Sequence, residues 1–112
     1  MIARWENLSR DQLSELDKDN TIVLLPLSAT EQHGPHLPVG TDAIILSTLI
    51  DKTIAAADQY TEGNVIFAPQ LPVGKSNEHM DFCGTLTFSA KTYYSVIYDI
   101  AGCIAKHGFK KL

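Results

Sequence analysis

Seven consecutive residues, Thr21-Ile-Val-Leu-Leu-Pro-Leu27, set the tightest limit on how this chain can fold. The run is β-branched and aliphatic with no polar alternation, so it predicts a strand covered on both faces, as in parallel sheets flanked by helices. Pro26 lies near its end, where a missing ladder donor is tolerated. Asn64-Val-Ile-Phe-Ala-Pro69 predicts a second strand, and the alternation in Gly84-Thr-Leu-Thr-Phe88 predicts a short third one. Ser9 followed three residues later by Gln12 fits a capping box, opening a short helix whose apolar stripe is Leu13 and Leu16. Thr41 is placed to cap a helix from about Asp42 to Ala57, with Ile45, Leu49 and Ile54 at helical spacing. Ser89 caps a last helix carrying Tyr93, Val96, Ile97, Ile100 and Ile104, which Gly108 ends at C′.

The resulting order of helix, strand, helix, strand, strand, helix predicts a layered α/β fold with a mostly parallel sheet. Phe109-Lys-Lys-Leu112 resembles the lead-in to a further buried strand, so the fold is expected to be truncated there. A chain of 112 residues reads as a single domain, 1–112, able to bury roughly two-thirds of its unfolded surface. Its hydrophobic share of 45% and charged share of 20% exclude a disordered, collagen-like or disulfide-rich class. No apolar run approaches the roughly 20 residues that span a bilayer. The N-terminus has no apolar core to act as a secretion signal, which predicts a cytoplasmic location. Cys83 and Cys103 are accordingly expected as free thiols, small and buried or half-buried. Nine basic against thirteen acidic side chains give a net charge of −4, which argues against nucleic acid or an anionic membrane as partner.

The chemistry concentrates in Glu31-Gln32-His33-Gly34-Pro35-His36-Leu37-Pro38-Val39-Gly40-Thr41-Asp42, directly after the first expected strand. Open α/β sheets place ligands just beyond the carboxyl ends of their strands. In an extended segment Glu31 and His33 point to the same side. Asp42 sits at a helix N-terminus, where the dipole favours a carboxylate. The intervening glycines and prolines can turn the chain so that Asp42 returns beside the other two. Imidazole with carboxylates suits Zn²⁺ or Mn²⁺, and a bridging carboxylate suits a two-metal hydrolase. The same residues also read as solvated loop side chains beside a Gly/Pro turn, and spacing alone leaves both readings open.

The run Leu24-Leu25-Pro26-Leu27-Ser28-Ala29-Thr30-Glu31-Gln32-His33-Gly34-Pro35-His36-Leu37-Pro38, closed by Thr41-Asp42, resembles the opening signature of the creatininase family (creatinine amidohydrolase-like proteins). Gly74-Lys-Ser76-Asn-Glu78-His79 and Phe82-Cys-Gly84-Thr85-Leu-Thr resemble its second signature, and the likeness runs from about Ile22 to Leu112. The resemblance implies a layered α/β/α creatininase-like fold and a metal-dependent amidohydrolase, cleaving a cyclic amide or amide C–N bond of a small molecule with a metal-activated water. It implies two divalent ions, Zn²⁺ and/or Mn²⁺, and a homo-oligomer, in the family often a hexamer. By position Glu31 would bind one ion, His33 the other, and Asp42 both, and Ser76 would line the substrate pocket. Glu78 and His79, with Asp81, form a second polar cluster that reads as substrate-pocket lining, as support behind the metal ligands, or as a solvated loop. On this likeness the chain is the N-terminal half of the expected length. The remaining ligands, on an Asn-Gly-His motif, and the proton-transfer histidine are then expected beyond Leu112. Two other functions stay in view: a non-catalytic remnant or interaction module of the same fold, and a family hydrolase acting on a formamide or peptide bond.

Overall fold

The computed structural model describes residues 1–57 and 62–112. Its elements are β1 (Ile2–Arg4), a 3₁₀ turn (Trp5–Asn7), α1 (Arg10–Glu15), β2 (Thr21–Leu24), α2 (Thr41–Ala57), β3 (Asn64–Phe67), a second 3₁₀ turn (Asn77–His79) and α3 (Ala90–Lys106). The three strands form one parallel sheet in the order β1-β3-β2. Beyond β2 the chain end begins to pair as well, with Lys111 opposite Ile22 and the Val23 N–H donating to the Lys111 carbonyl at 2.9 Å.

Helices cover both faces, which makes the fold a layered α/β/α one. On one face Val23 and Ala68 meet Ile104 and Phe109, with α1 contributing Leu13 and Leu16. On the other, Ile2 and Phe67 meet Ile50 of α2, flanked by Leu46 and Ile54. Val23 and Ile66 are both fully buried, and each such side chain contributes about 1.5–3 kcal/mol relative to exposure. Arg4, at the end of β1, ties that strand to α2. Its Nε donates to Asp51 Oδ1 at 2.9 Å, and its Nη2 donates to the Ser47 carbonyl at 3.0 Å.

Ser9 forms the expected capping box with Gln12, and Ser89 caps α3 through the Thr92 N–H. Gly108 follows α3 at φ +93°, the left-handed conformation that ends such a helix without a Cβ penalty. Thr41 departs from expectation: it lies inside α2, and its hydroxyl donates backwards to the Pro38 carbonyl.

Other expectations are also corrected. The opening strand β1 gives no local signal, because its register is set by pairing Ile2 with Val65, far along the chain. β2 is covered on one face only along its length: Thr21 and Val23 are buried, whereas Ile22 and Leu24 are exposed. On α2 the packed positions are Leu46, Ile50 and Ile54, while Ile45 and Leu49 face outward. Residues 84–88 form no strand. Only Thr30 and Leu86 pair there, antiparallel, and the alternation is reversed, with Thr85 buried and Leu86 exposed. Cys83 and Cys103 are free thiols as expected but both are exposed, and so are the stacked rings of Tyr94 and Tyr98. No described helix is long and apolar enough to cross a membrane.

Candidate functional site

Two loops converge at the carboxyl ends of β2 and β3. They are stitched by single bridges rather than a ladder, since Pro26, Pro69 and Pro72 remove donors at intervals. The Ser28 N–H donates to the Leu71 carbonyl at 3.0 Å, and the Leu86 N–H donates to the Thr30 carbonyl at 2.9 Å. The first loop then doubles back. Gly34 turns at φ +75°, His33 pairs with Leu37, and the Glu31 N–H donates to the Val39 carbonyl at 3.0 Å. That fold-back delivers Asp42, in the first turn of α2, beside Glu31 and His33.

Ligand atoms of Glu31, His33 and Asp42 all lie within 4.8 Å of one another, and all three side chains are half-buried. His33 has its two ring nitrogens in different roles. A carbonyl oxygen only accepts, so Nδ1, 2.9 Å from the Glu31 carbonyl, carries the proton of that bond. Nε2 points at Asp42 Oδ1 across 3.2 Å. The Nδ1 bond to the Glu31 carbonyl, with the nearby Asp42 and Glu31 carboxylates, holds the imidazole pKa above its ordinary value despite partial desolvation.

A second trio, Glu31, Glu78 and His79, also offers ligand atoms within 4.8 Å, so Glu31 belongs to both groups. His79 Nε2 lies 3.7 Å from Glu31 Oε2. Ser76 is buried, only 1% exposed, and its N–H donates to Thr87 Oγ1 at 2.8 Å. Glu78 is exposed and His79 half-buried. A shallow depression of about 500 Å³ adjoins Asp42, walled by Leu27, Ile45, Leu46, Leu49 and Tyr93.

Two residues that hold the site together escape sequence reasoning. The Thr85 hydroxyl accepts the Gln32 N–H at 3.1 Å, and the Gln32 side chain reaches His79. The usable signal was Thr85-Leu-Thr87: period-two threonines whose hydroxyls serve the backbone of Gln32 and Ser76 instead of a strand face.

The family model for creatininase, described as creatinine amidohydrolase, matches residues 6–112. The chain is 31% identical over 101 residues to a mycofactocin precursor peptide peptidase of Mycobacterium tuberculosis (strain ATCC 25618 / H37Rv), covering 83% of this chain and 40% of that protein. It is 29% identical over 96 residues to the creatinine amidohydrolase of Pseudomonas putida, covering 81% of this chain and 35% of that protein. A solved structure of a mutant creatininase shares the fold with a TM-score of 0.81 at 22% identity, covering 97% of this chain and 42% of that one. The chain therefore spans about two-fifths of the length of the proteins it matches. With the family model matched from Glu6 to Leu112, and with its motif residues gathered beyond one edge of a parallel sheet, the chain belongs to the creatininase family.

Proposed function

We propose that this chain contributes Glu31, His33 and Asp42 to the two-metal centre of a hydrolase that cleaves an amide C–N bond. One observation carries the reading: ligand atoms of Glu31, His33 and Asp42 all lie within 4.8 Å of one another, close enough to share a bound cation. The donor set of one imidazole and two carboxylates suits Zn²⁺ or Mn²⁺.

In this reading Glu31 would hold one ion, His33 the other, and Asp42 both. Three side chains leave each ion short of a full set, so further ligands and the proton-transfer group come from outside these residues. The ions, when bound, supply Lewis acidity toward a carbonyl and acidify water. The chain's own contribution is positioning. The Glu31 carbonyl fixes the His33 tautomer and ring plane. The first turn of α2 sets Asp42 where backbone amides favour its charge.

The relatives divide on substrate, one named for creatinine and others for a precursor peptide. The relatives named as peptide peptidases support a peptide bond as second reading. A homo-oligomer and a cytoplasmic location belong to the same proposal.

Elemental analysis of the full-length protein tests the metal centre. Stoichiometric zinc or manganese is expected, and Asp42→Ala should release both ions together. Loss of only one ion would refute the bridging role, and metal-free protein from metal-replete cells would sink the reading. Assays on creatinine, formylated amines and short peptides in parallel then identify the bond.

A further inference from the structure

Hydrogen bonds running from Gly34 through Gln32 fix the tautomer of His79, whose other nitrogen faces Glu31. The Gly34 N–H donates to Gln32 Oε1 at 2.9 Å. A backbone N–H only donates, so this atom must be the amide oxygen, and the other end of the Gln32 side chain is the NH₂ group. That NH₂ group lies 3.0 Å from His79 Nδ1. Nδ1 is therefore the acceptor, and in the neutral ring the proton resides on Nε2. Nε2–H faces Glu31 Oε2 across 3.7 Å, wider than a direct hydrogen bond. The opposite tautomer would set Nδ1–H against the Gln32 NH₂ group. Flipping the amide to relieve that clash would set NH₂ against the Gly34 N–H. The polarity of the whole chain is thus set by one backbone amide at a turn that glycine allows, φ +75°.

We infer that His79 is a positioning residue, held by Gln32 as an Nε2–H donor to orient the Glu31 carboxylate rather than to ligate an ion or touch substrate. Ligating an ion through Nε2 would put the neutral ring's proton on Nδ1, against the Gln32 NH₂ group, whereas Nε2–H can steady one carboxylate oxygen and leave the other free. Hydrogen-bond partners standing behind a ligand typically change metal affinity by about 10- to 100-fold when removed. The Thr85 hydroxyl on the Gln32 N–H anchors the base of the chain from the second loop, and the exposed Glu78 carboxylate also lies within 4.8 Å of Glu31 and His79. The inference rests on the reading of Glu31 as a metal ligand.

The test is Mn²⁺ affinity, measured by titration of chelator-stripped full-length protein, together with the His79 tautomer from long-range ¹H–¹⁵N spectra. His79→Ala should weaken Mn²⁺ binding about 10- to 100-fold. His79→Gln, which can place an amide NH₂ near the position of Nε2, should recover part of the loss. Gln32→Ala combined with His79→Ala should cost little more than His79→Ala alone, because both act through one chain. The unsubstituted metal-free protein should show the Nε2–H tautomer, a readout that survives even if a variant fails to fold. An Nδ1–H tautomer, or unchanged affinity in His79→Ala, overturns the positioning role. Glu31→Gln separates the two layers. If it abolishes binding at one ion while His79→Ala does nothing, only this inference fails; if it too leaves affinity unchanged, the metal reading of Glu31 falls with it.

Discussion

At the scale of single residues, the motif that marks the family and the motif that builds the site overlap only in part. Glu31, His33 and Asp42 were legible because carboxylate and imidazole at extended spacing before a helix are chemically conspicuous, and the structure gathers them. Gln32 and Thr85 were not, since an amide and a hydroxyl gain their meaning only from partners 47 and 53 residues away. Gly84 is a similar case. It adopts φ +97°, and a Cβ there would stand 2.8 Å from Val39 Cγ1 of the first loop. Backbone strain of this kind costs on the order of 1–3 kcal/mol, and the contact adds to it. Gly84→Ala is therefore expected to lower the unfolding free energy by at least about 1 kcal/mol, read by denaturant titration in chelator. A variant as stable as the parent would show that the two loops do not press together here.

At the scale of elements, the helices were readable because their caps are local: Ser9 with Gln12, Ser89 with the Thr92 N–H, and Gly108 at the end of α3. The strands were readable only where apolar residues run together, in β2 and β3. β1 is three residues long and exists through its register with β3, so nothing nearby in sequence announces it. The turn from α1 into β2 carries its own titration. Asp17 accepts from the Asn20 side-chain amide at 2.8 Å, from the Asn20 N–H at 3.3 Å and from the Asp19 N–H at 3.1 Å. These bonds, led by the Asn20 side chain, stabilise the carboxylate and lower its pKa below 3.8. A lowered carboxyl pKa gives stability that is present above the unfolded value and lost as pH falls through the folded one. The stability difference between the parent and Asp17→Ala should then be level near neutrality and shrink below about pH 4. A difference that stays level down to pH 2 would contradict this.

At the scale of the whole molecule, the chain is a slab rather than a ball. Its extents are 47 × 32 × 19 Å and its radius of gyration is 16.0 Å, against about 13 Å for an ordinary compact domain of this length. The flattening leaves apolar side chains in water on the α2 side: Ile22 and Leu24 of β2, Leu27 beyond it, and Ile45 and Leu49 of α2. The expectation of a strand covered on both faces went astray for this reason, because α2 lies over β1 and β3 and leaves β2 open. Exposed apolar side chains in this number drive association where they lie together. Residues 1–112 produced alone should bind a hydrophobic dye and self-associate in a concentration-dependent way, with light scattering as the readout. A monodisperse, dye-silent monomer would refute that.

The stitching of the two loops also dictates a sequence of events in the life of the molecule. Glu31, His33 and Asp42 leave the ribosome well before His79 and Thr85 do. The sheet that aligns their loops needs β3, which is made later still than α2. Contacts spanning some fifty residues form only after the intervening chain has been ordered. Glu31, His33 and Asp42 are gathered by a local fold-back, so a nascent chain passes through a period in which they are synthesised without the support that His79 and Thr85 later bring.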